Sequence, residues 1–141
     1  MTRPRSSKTG LLGAAAIAVI ALAAIWVAQG TENLCPAIYP APASCSIDAR
    51  ATPAVVGVTL VLALLAVNIV LARVSAPGRL SIGLLAAVGA IAPLWVFGSA
   101  GFIVDGTAVV LLLCSAACIV IAVVTTRRIG SEASTSTPVT P

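Results

Sequence analysis

Histidine is absent from this 141-residue sequence, and carboxylates are scarce. The four acidic residues are Glu32, Asp48, Asp105 and Glu132. Histidine and positioned carboxylates perform much of the acid–base catalysis and metal binding in proteins, so the side chains that usually carry such chemistry are nearly missing. We therefore expect no catalytic site, no bound metal and no cofactor.

Charge of either sign is also low. Charged residues make up 9% of the chain, whereas a soluble domain carries roughly 25%. Hydrophobic residues make up 60%, and the mean hydropathy is +1.13. This composition excludes a water-soluble globular domain and favours a protein whose solvent is the lipid bilayer.

The apolar residues fall into four uncharged segments, each close to the roughly 20 residues that cross a bilayer as a helix. The segments are residues 11–29, 53–72, 80–98 and 106–126. They predict an all-α polytopic membrane protein with four transmembrane helices in an antiparallel bundle. A cleaved signal peptide is the alternative for the first segment, but its apolar run exceeds the usual 7–15 residues.

The remaining residues are predicted to be terminal segments and connections. The N-terminus is basic, and the Ser/Thr/Pro-rich C-terminal tail is predicted to be disordered because it cannot bury enough apolar surface. These parts are the N-terminal segment 1–10, the connections 30–52, 73–79 and 99–105, and the tail 127–141.

The basic residues predict the orientation of the chain. With a cytoplasmic N-terminus, Arg50 is the one basic residue outside, and the other seven lie inside, as the positive-inside rule requires. The inside residues are Arg3, Arg5, Lys8, Arg73, Arg79, Arg127 and Arg128. Trp26, Trp95 and Phe97 lie near the outer ends of their segments, which predicts an interfacial aromatic belt. Both termini are then cytoplasmic. Lys8 is the single lysine and the other basic residues are all arginine, which together with abundant Ala, Val and Gly indicates the coding bias of a GC-rich bacterium and hence a bacterial plasma membrane.

Two cysteines lie in the outer connection. Cys35 and Cys45 flank a proline-rich stretch on the oxidising side of the membrane, and we predict a structural disulfide between them. Closing so short a loop would restrict the unfolded chain by about 3 kcal/mol on the chain-entropy account. A redox-active pair is the alternative, although such pairs are usually close together, as in Cys-X-X-Cys.

Two further cysteines, Cys114 and Cys118, lie one helical turn apart within the fourth segment. Buried thiols are poor nucleophiles, so the stretch between them is predicted to be a small-residue surface for helix packing. Disulfide-forming membrane enzymes of the quinone-reducing type resemble this chain in their four helices and several cysteines. They place a close cysteine pair near the outer surface, however, whereas Cys114 and Cys118 lie deep in the bilayer.

Polar residues within the segments are few. Asn68 is predicted to form a hydrogen bond to another helix or chain. Pro93 removes one backbone hydrogen bond and predicts a kink in the third helix, which would act as a hinge in a functional interpretation. No charged residue lies within the four apolar cores, although such residues ordinarily mark ion and proton paths.

Small residues recur along the helices and favour close helix packing. We therefore predict a non-enzymatic accessory or interaction subunit whose partner, within the lipid bilayer, is another membrane protein or a second copy. The alternative is a small oligomeric transporter or channel with Thr59, Asn68 and Pro93 along its path. Small four-helix multidrug exporters resemble the chain in size and helix number, but depend on a glutamate in the first helix, and residues 11–29 contain none.

A thiol oxidoreductase that uses the cysteines is a further, less favoured alternative. Nucleic acid is not an expected partner despite the net charge of +4, because the basic residues flank membrane segments.

Overall fold

The structure, a computed structural model, describes the backbone of residues 5–30, 50–74, 79–99 and 106–135. Four α-helices account for nearly all of these residues: α1 (Arg5–Gly30), α2 (Ala51–Val74), α3 (Arg79–Gly98) and α4 (Gly106–Thr135). Each contains a stretch long and apolar enough to cross a membrane. For the residues that the structure describes, the prediction of an all-helical chain with four such helices is therefore confirmed.

The ends of α2 and α3 follow ordinary helix chemistry. The Ala54 amide donates a hydrogen bond to the Arg50 carbonyl at 3.0 Å, so Pro53 lies in the first turn of α2, where its missing N–H leaves no helical bond unmade. At the C-terminal end of α3, Ser99 donates from its amide to the Trp95 carbonyl and from its hydroxyl to the Val96 carbonyl. These bonds satisfy carbonyls that a helix end would otherwise leave without a partner.

Helix α4 is longer than the sequence predicted. It continues past Thr126 to Thr135, so the expectation of a disordered tail over 127–141 is wrong for residues 127–135. Arg, Glu and Ala in this stretch are good helix formers, and extending an existing helix needs no new nucleus. Ser, Thr and Pro residues nearer the C-terminus dominate the composition of the tail, which is why its composition predicted disorder for the whole of 127–141. Residues 136–141 lie outside the described part of the chain.

Helices α1 and α3 form the centre of the molecule. Each contacts all three other helices, whereas α2 and α4 do not contact one another within the described residues. Burial agrees with this arrangement, because 44% and 50% of the membrane-crossing stretches of α1 and α3 are buried, against 22% and 28% for α2 and α4. The largest fully buried apolar side chains include Ile17, Ile25, Val61, Ile82, Leu85, Val96 and Leu111.

Glycines mark the closest helix contacts. A Cβ atom at Gly89 of α3 would lie 3.1 Å from Ala21 Cβ of α1 and 3.7 Å from Cys118 Sγ of α4. A Cβ atom at Gly57 of α2 would similarly lie 3.2 Å from Ala92 Cβ of α3. Because helices in lipid associate chiefly through van der Waals packing, small residues at these points allow the backbones to approach closely.

Candidate functional site

Asn68 joins α2 to α3. Its side chain is fully buried, and its amide nitrogen donates to the Leu64 carbonyl at 2.8 Å and to the Ser81 carbonyl at 3.4 Å. In return, the Ser81 hydroxyl donates to Asn68 Oδ1 at 3.0 Å. The structure thus places Asn68 in a polar contact between two helices of one chain, away from the lipid-facing surface.

Pro93 is buried in α3, close to a hydrogen bond from α4. Proline lacks the amide that would pair with the Gly89 carbonyl, four residues earlier. The Ser115 hydroxyl lies 2.8 Å from the next carbonyl, that of Ala90, and 2.9 Å from the Leu111 carbonyl of its own helix. The Ser115 hydroxyl therefore bonds a carbonyl one residue away from the Gly89 carbonyl that Pro93 leaves without its helical partner, and it links α4 to this turn of α3.

Cys114 and Cys118 are both free thiols in α4. Cys118 is fully buried, and its thiol points to the Ile17 carbonyl oxygen of α1 at 3.9 Å, while Cys114 is half-buried. The sulfur of Cys118 also borders the contact at Gly89. The structure therefore places Cys118 in the packing between α1, α3 and α4.

An arginine is buried at the end of the bundle that carries the tryptophans. Arg50 is 7% exposed, and its guanidinium carbon lies 6.0 Å from the centroid of the Phe97 ring, within the range of a cation–π interaction. Desolvation lowers the pKa of Arg50, but guanidinium groups stay protonated in proteins.

Phe97 is itself buried, so its predicted place in an exposed aromatic belt is wrong. Trp26 and Trp95 are 80% and 51% exposed and do face outward. The sequence gives the position of Phe97 near the C-terminal end of α3, but it could not show which side of the helix faces the other helices.

The predicted pair Cys35 and Cys45 lies outside the described residues, so its disulfide stays a prediction. Asn68 lies in the contact of α2 with α3, whereas Cys118 lies in the packing of α1, α3 and α4, so these two predicted residues do not share one site. Within the described ranges, no group of three or more His, Cys, Asp or Glu side chains could hold a metal ion.

One face of α2 combines small residues with exposure. Thr59, Ala63, Ala66 and Val70 recur at helical spacing, and all four are exposed. The Thr59 hydroxyl donates to the Val55 carbonyl of its own helix at 2.7 Å. We call these four residues the α2 face; they form a shallow, uncharged stripe on an outer helix.

A groove of about 440 Å³ runs between α3 and α4 on the outside of the bundle. Small residues of α3 form much of its lining, and larger aliphatic residues of both helices border it. The lining residues are Gly83, Ala86, Ala87, Ala90, Ile91, Ile119, Ala122, Val123 and Thr126. We call this feature the α3–α4 groove.

Sequence reasoning missed Ser81 and Gly89 as contact residues between helices, and it missed the hydrogen bond of Ser115, although Ser115 lies within the stretch that was predicted to pack. Serine and glycine are common in membrane helices, so their signal in the sequence is weak; for Ser115 it was the position between the two cysteines of α4.

Neither a protein-family model, a curated protein nor a solved structure matches this chain.

Proposed function

We propose that this protein is a non-enzymatic accessory or interaction subunit of a membrane complex, bound to its partner through the α2 face. The observation that carries the proposal is the exposure of Thr59, Ala63, Ala66 and Val70 on one side of an outer helix. Small residues let a second helix approach closely, and close packing drives helix association in lipid.

The position of α2 supports this proposal. Only 22% of its membrane-crossing stretch is buried, the lowest share of the four helices. The contacts that hold α2 use other residues: Gly57 lies against Ala92, and Asn68 is bonded to Ser81. A partner helix could therefore dock on the α2 face without disturbing the contacts of α2 within the bundle.

We further propose an antiparallel bundle. Gly57 and Asn68 of α2 lie against Ala92 and Ser81 of α3, so residue numbers rise along one helix as they fall along the other. The same reversal supports an antiparallel α1–α4 pair. Gly13 lies against Thr125, whereas Ile17, later in α1, lies against Cys118, which is earlier in α4.

The charge distribution supports cytoplasmic termini and insertion in a bacterial plasma membrane. Arg79 lies against Gly130, which brings the basic ends of α3 and α4 together. Exposed Trp26 and Trp95 lie toward the other end, where the guanidinium of Arg50 lies over the Phe97 ring. Basic residues on the cytoplasmic side and tryptophan at the interface are the usual anchors of a plasma-membrane protein.

The test replaces Ala63 and Ala66 together by leucine. The larger apolar side chains keep a partner helix away from the α2 face, and they remain compatible with surrounding lipid. The matched control is Ala116→Leu, a change of the same type at an exposed alanine of α4. Tagged chains are purified from native membranes in mild detergent, and the mass and composition of each complex are measured. We expect the wild type and control to retain a stoichiometric partner and the double variant to lose it.

Retention of the partner by the double variant would reject the α2 face as the docking surface. A photo-crosslinking residue at Ala63 gives an independent result in intact cells, with Ala116 again as the control position. Crosslinking at both positions to the same extent would indicate random collision in the membrane and would also contradict the proposal.

The alternative is a small oligomeric transporter or channel, and the exposure of Thr59 is the observation that favours it. A path between copies of the chain could run along Thr59, whereas Asn68 and Pro93 are buried inside one copy. Thr59→Val in proteoliposomes should then reduce transport, and unchanged transport would argue against this path. A thiol oxidoreductase is less favoured still, and a cysteine-free variant with unchanged phenotype would eliminate it.

A further inference from the structure

We infer that the α3–α4 groove, together with Arg79 and Arg127 at its end, is a binding site for an anionic phospholipid. One acyl chain lies in the groove, and the phosphate of the headgroup is held by the two guanidinium groups. The inference requires only that α3 and α4 cross a bilayer, and it does not depend on the role proposed for the α2 face.

The groove suits an acyl chain. Its volume of about 440 Å³ lies within the roughly 300–1,000 Å³ of ordinary ligand pockets. Ala86 and Ala90 are buried, whereas Ile91, Ile119 and Val123 are exposed beside them. Small buried residues with larger exposed neighbours give an open cleft with an apolar surface.

Thr126 is the one residue with a polar side chain in the lining, and its hydroxyl is already engaged. It lies 2.8 Å from the Ala122 carbonyl and 3.0 Å from the Val123 carbonyl of its own helix. Because the groove directs no polar group of its own at an occupant, it favours hydrocarbon.

Both arginines lie where the groove ends. Arg79 precedes the lining residue Gly83 by four residues, and Arg127 follows the lining residue Val123 by four, so each lies one helical turn beyond the groove on the same side of its helix. Their side chains are exposed. Helix spacing therefore assigns both cations to the same end of the apolar cleft.

Gly130 positions the first of these arginines. The Arg79 guanidinium of α3 lies over Gly130 of α4, in space that a Cβ atom at residue 130 would occupy. The guanidinium thus reaches from α3 to α4 at a residue four positions beyond the lining residue Thr126. An exposed cation spanning the end of the groove would meet the headgroup of any lipid whose chain lies within it.

Charge complementarity selects an anionic lipid as the occupant. The guanidinium fork binds phosphate oxygens through paired, charge-assisted hydrogen bonds. In a phospholipid, the phosphate lies at the membrane surface where the acyl chains begin, which matches arginines at the end of an apolar groove. A second copy of the chain related by a twofold axis along the membrane normal would instead bring like charges together, an arrangement that costs energy.

The experiment compares phosphatidylglycerol with phosphatidylcholine of the same acyl chains, bound to the purified full-length protein and counted by native mass spectrometry during lipid titration. The double variant Arg79→Gln with Arg127→Gln removes the phosphate ligands. Its matched control, Arg73→Gln with Arg128→Gln, also removes two exposed charges, one at the end of α2 and one next to Arg127 on α4. We expect the first pair to weaken phosphatidylglycerol binding about tenfold and the control pair to change it less than about twofold.

A second variant tests the groove itself. Ala87→Phe places a ring in the groove at an exposed position, and Ala116→Phe is the control on the outside of α4. We expect the first to weaken binding of both lipids and the second to leave it unchanged, with the helical circular dichroism of both variants equal to that of the wild type.

Several outcomes would overturn the inference. Equal binding of the two lipids, or equal loss in both arginine pairs, would indicate diffuse attraction to a charged surface. Full competition by inorganic phosphate would show that the arginines bind a free anion without the acyl chain. If Ala87→Phe changed the oligomeric mass but not lipid binding, the α3–α4 groove would be an interface between copies. The proposed partner is tested separately, because its variants lie on α2.

Discussion

The contact at Gly89 gives the sharpest test of how the helices pack. Replacing Gly89 by alanine adds one methyl group, whose carbon would lie 3.1 Å from Ala21 Cβ and 3.5 Å from Ile17 Cγ2. Carbon atoms are most stable about 3.5–4.0 Å apart, so α1 and α3 would have to separate by several tenths of an ångström. Ala21 Cβ is attached directly to its backbone and cannot move aside by changing rotamer.

The cost follows from known effects of overpacking. Inserting a methylene-sized group into a packed core typically costs about 1–3 kcal/mol. Alanine also gains about 0.5–1 kcal/mol over glycine in a helix, which partly offsets that cost. Gly83→Ala serves as the matched control, because a Cβ atom there has nothing within 4 Å. We therefore expect Gly89→Ala to be less stable than Gly83→Ala by about 1–3 kcal/mol.

The assay is reversible unfolding in mixed micelles. The free energy of unfolding is measured by titrating a denaturing detergent into a mild one and following helicity together with the fluorescence of Trp26 and Trp95. Adding Ala21→Gly to Gly89→Ala removes the opposing methyl group and should restore most of the stability that the clash costs. A double-mutant cycle reports this restored stability as a coupling energy between the two positions. Equal stability of the two single glycine variants, or a coupling energy of zero, would refute the close approach of α1 and α3.

The remaining predictions concern hydrogen bonds and the outer loop. Asn68→Leu should lower the free energy of unfolding by about 0.6–1.7 kcal/mol, and the loss should not add to that of Ser81→Ala, because the two side chains share one contact; full additivity would show that they do not interact. Ser115→Ala should cost about 0.6 kcal/mol in the same assay, because its hydroxyl bridges α4 to α3; no loss would mean that this bond contributes nothing. If Cys35 and Cys45 form a disulfide, a thiol reagent should modify two cysteines per unfolded chain before reduction and four afterwards; four before reduction would refute the pairing.

How far the sequence could predict the molecule differs between its parts. The four spans were predictable because the free energy of placing a segment in hydrocarbon depends on its own residues, added over about 20 positions. The extension of α4 through residues 127–135 was not, because a composition argument averages over a segment, whereas helix propagation depends on the residues next to an existing helix.

The candidate functional surfaces were less predictable than the spans. Asn68 stood out as a polar residue in an apolar segment, yet its partner Ser81 did not, since pairing depends on the register of two helices. Phe97 shows the same difference: its position along α3 followed from the sequence, and its burial with Arg50 over its ring did not.

The sequence by itself determined that the chain forms four apolar helices, because membrane insertion is decided segment by segment. Only the tertiary structure decided that α1 and α3 lie at the centre, that Gly89 of α3 lies close against α1, and that the α2 face and the α3–α4 groove are exposed. The physical reason is that a helix in lipid is apolar on every side. Its hydrophobic pattern therefore does not distinguish the side that packs against protein from the side that meets lipid. Which side packs is determined by how closely the side chains of neighbouring helices fit together.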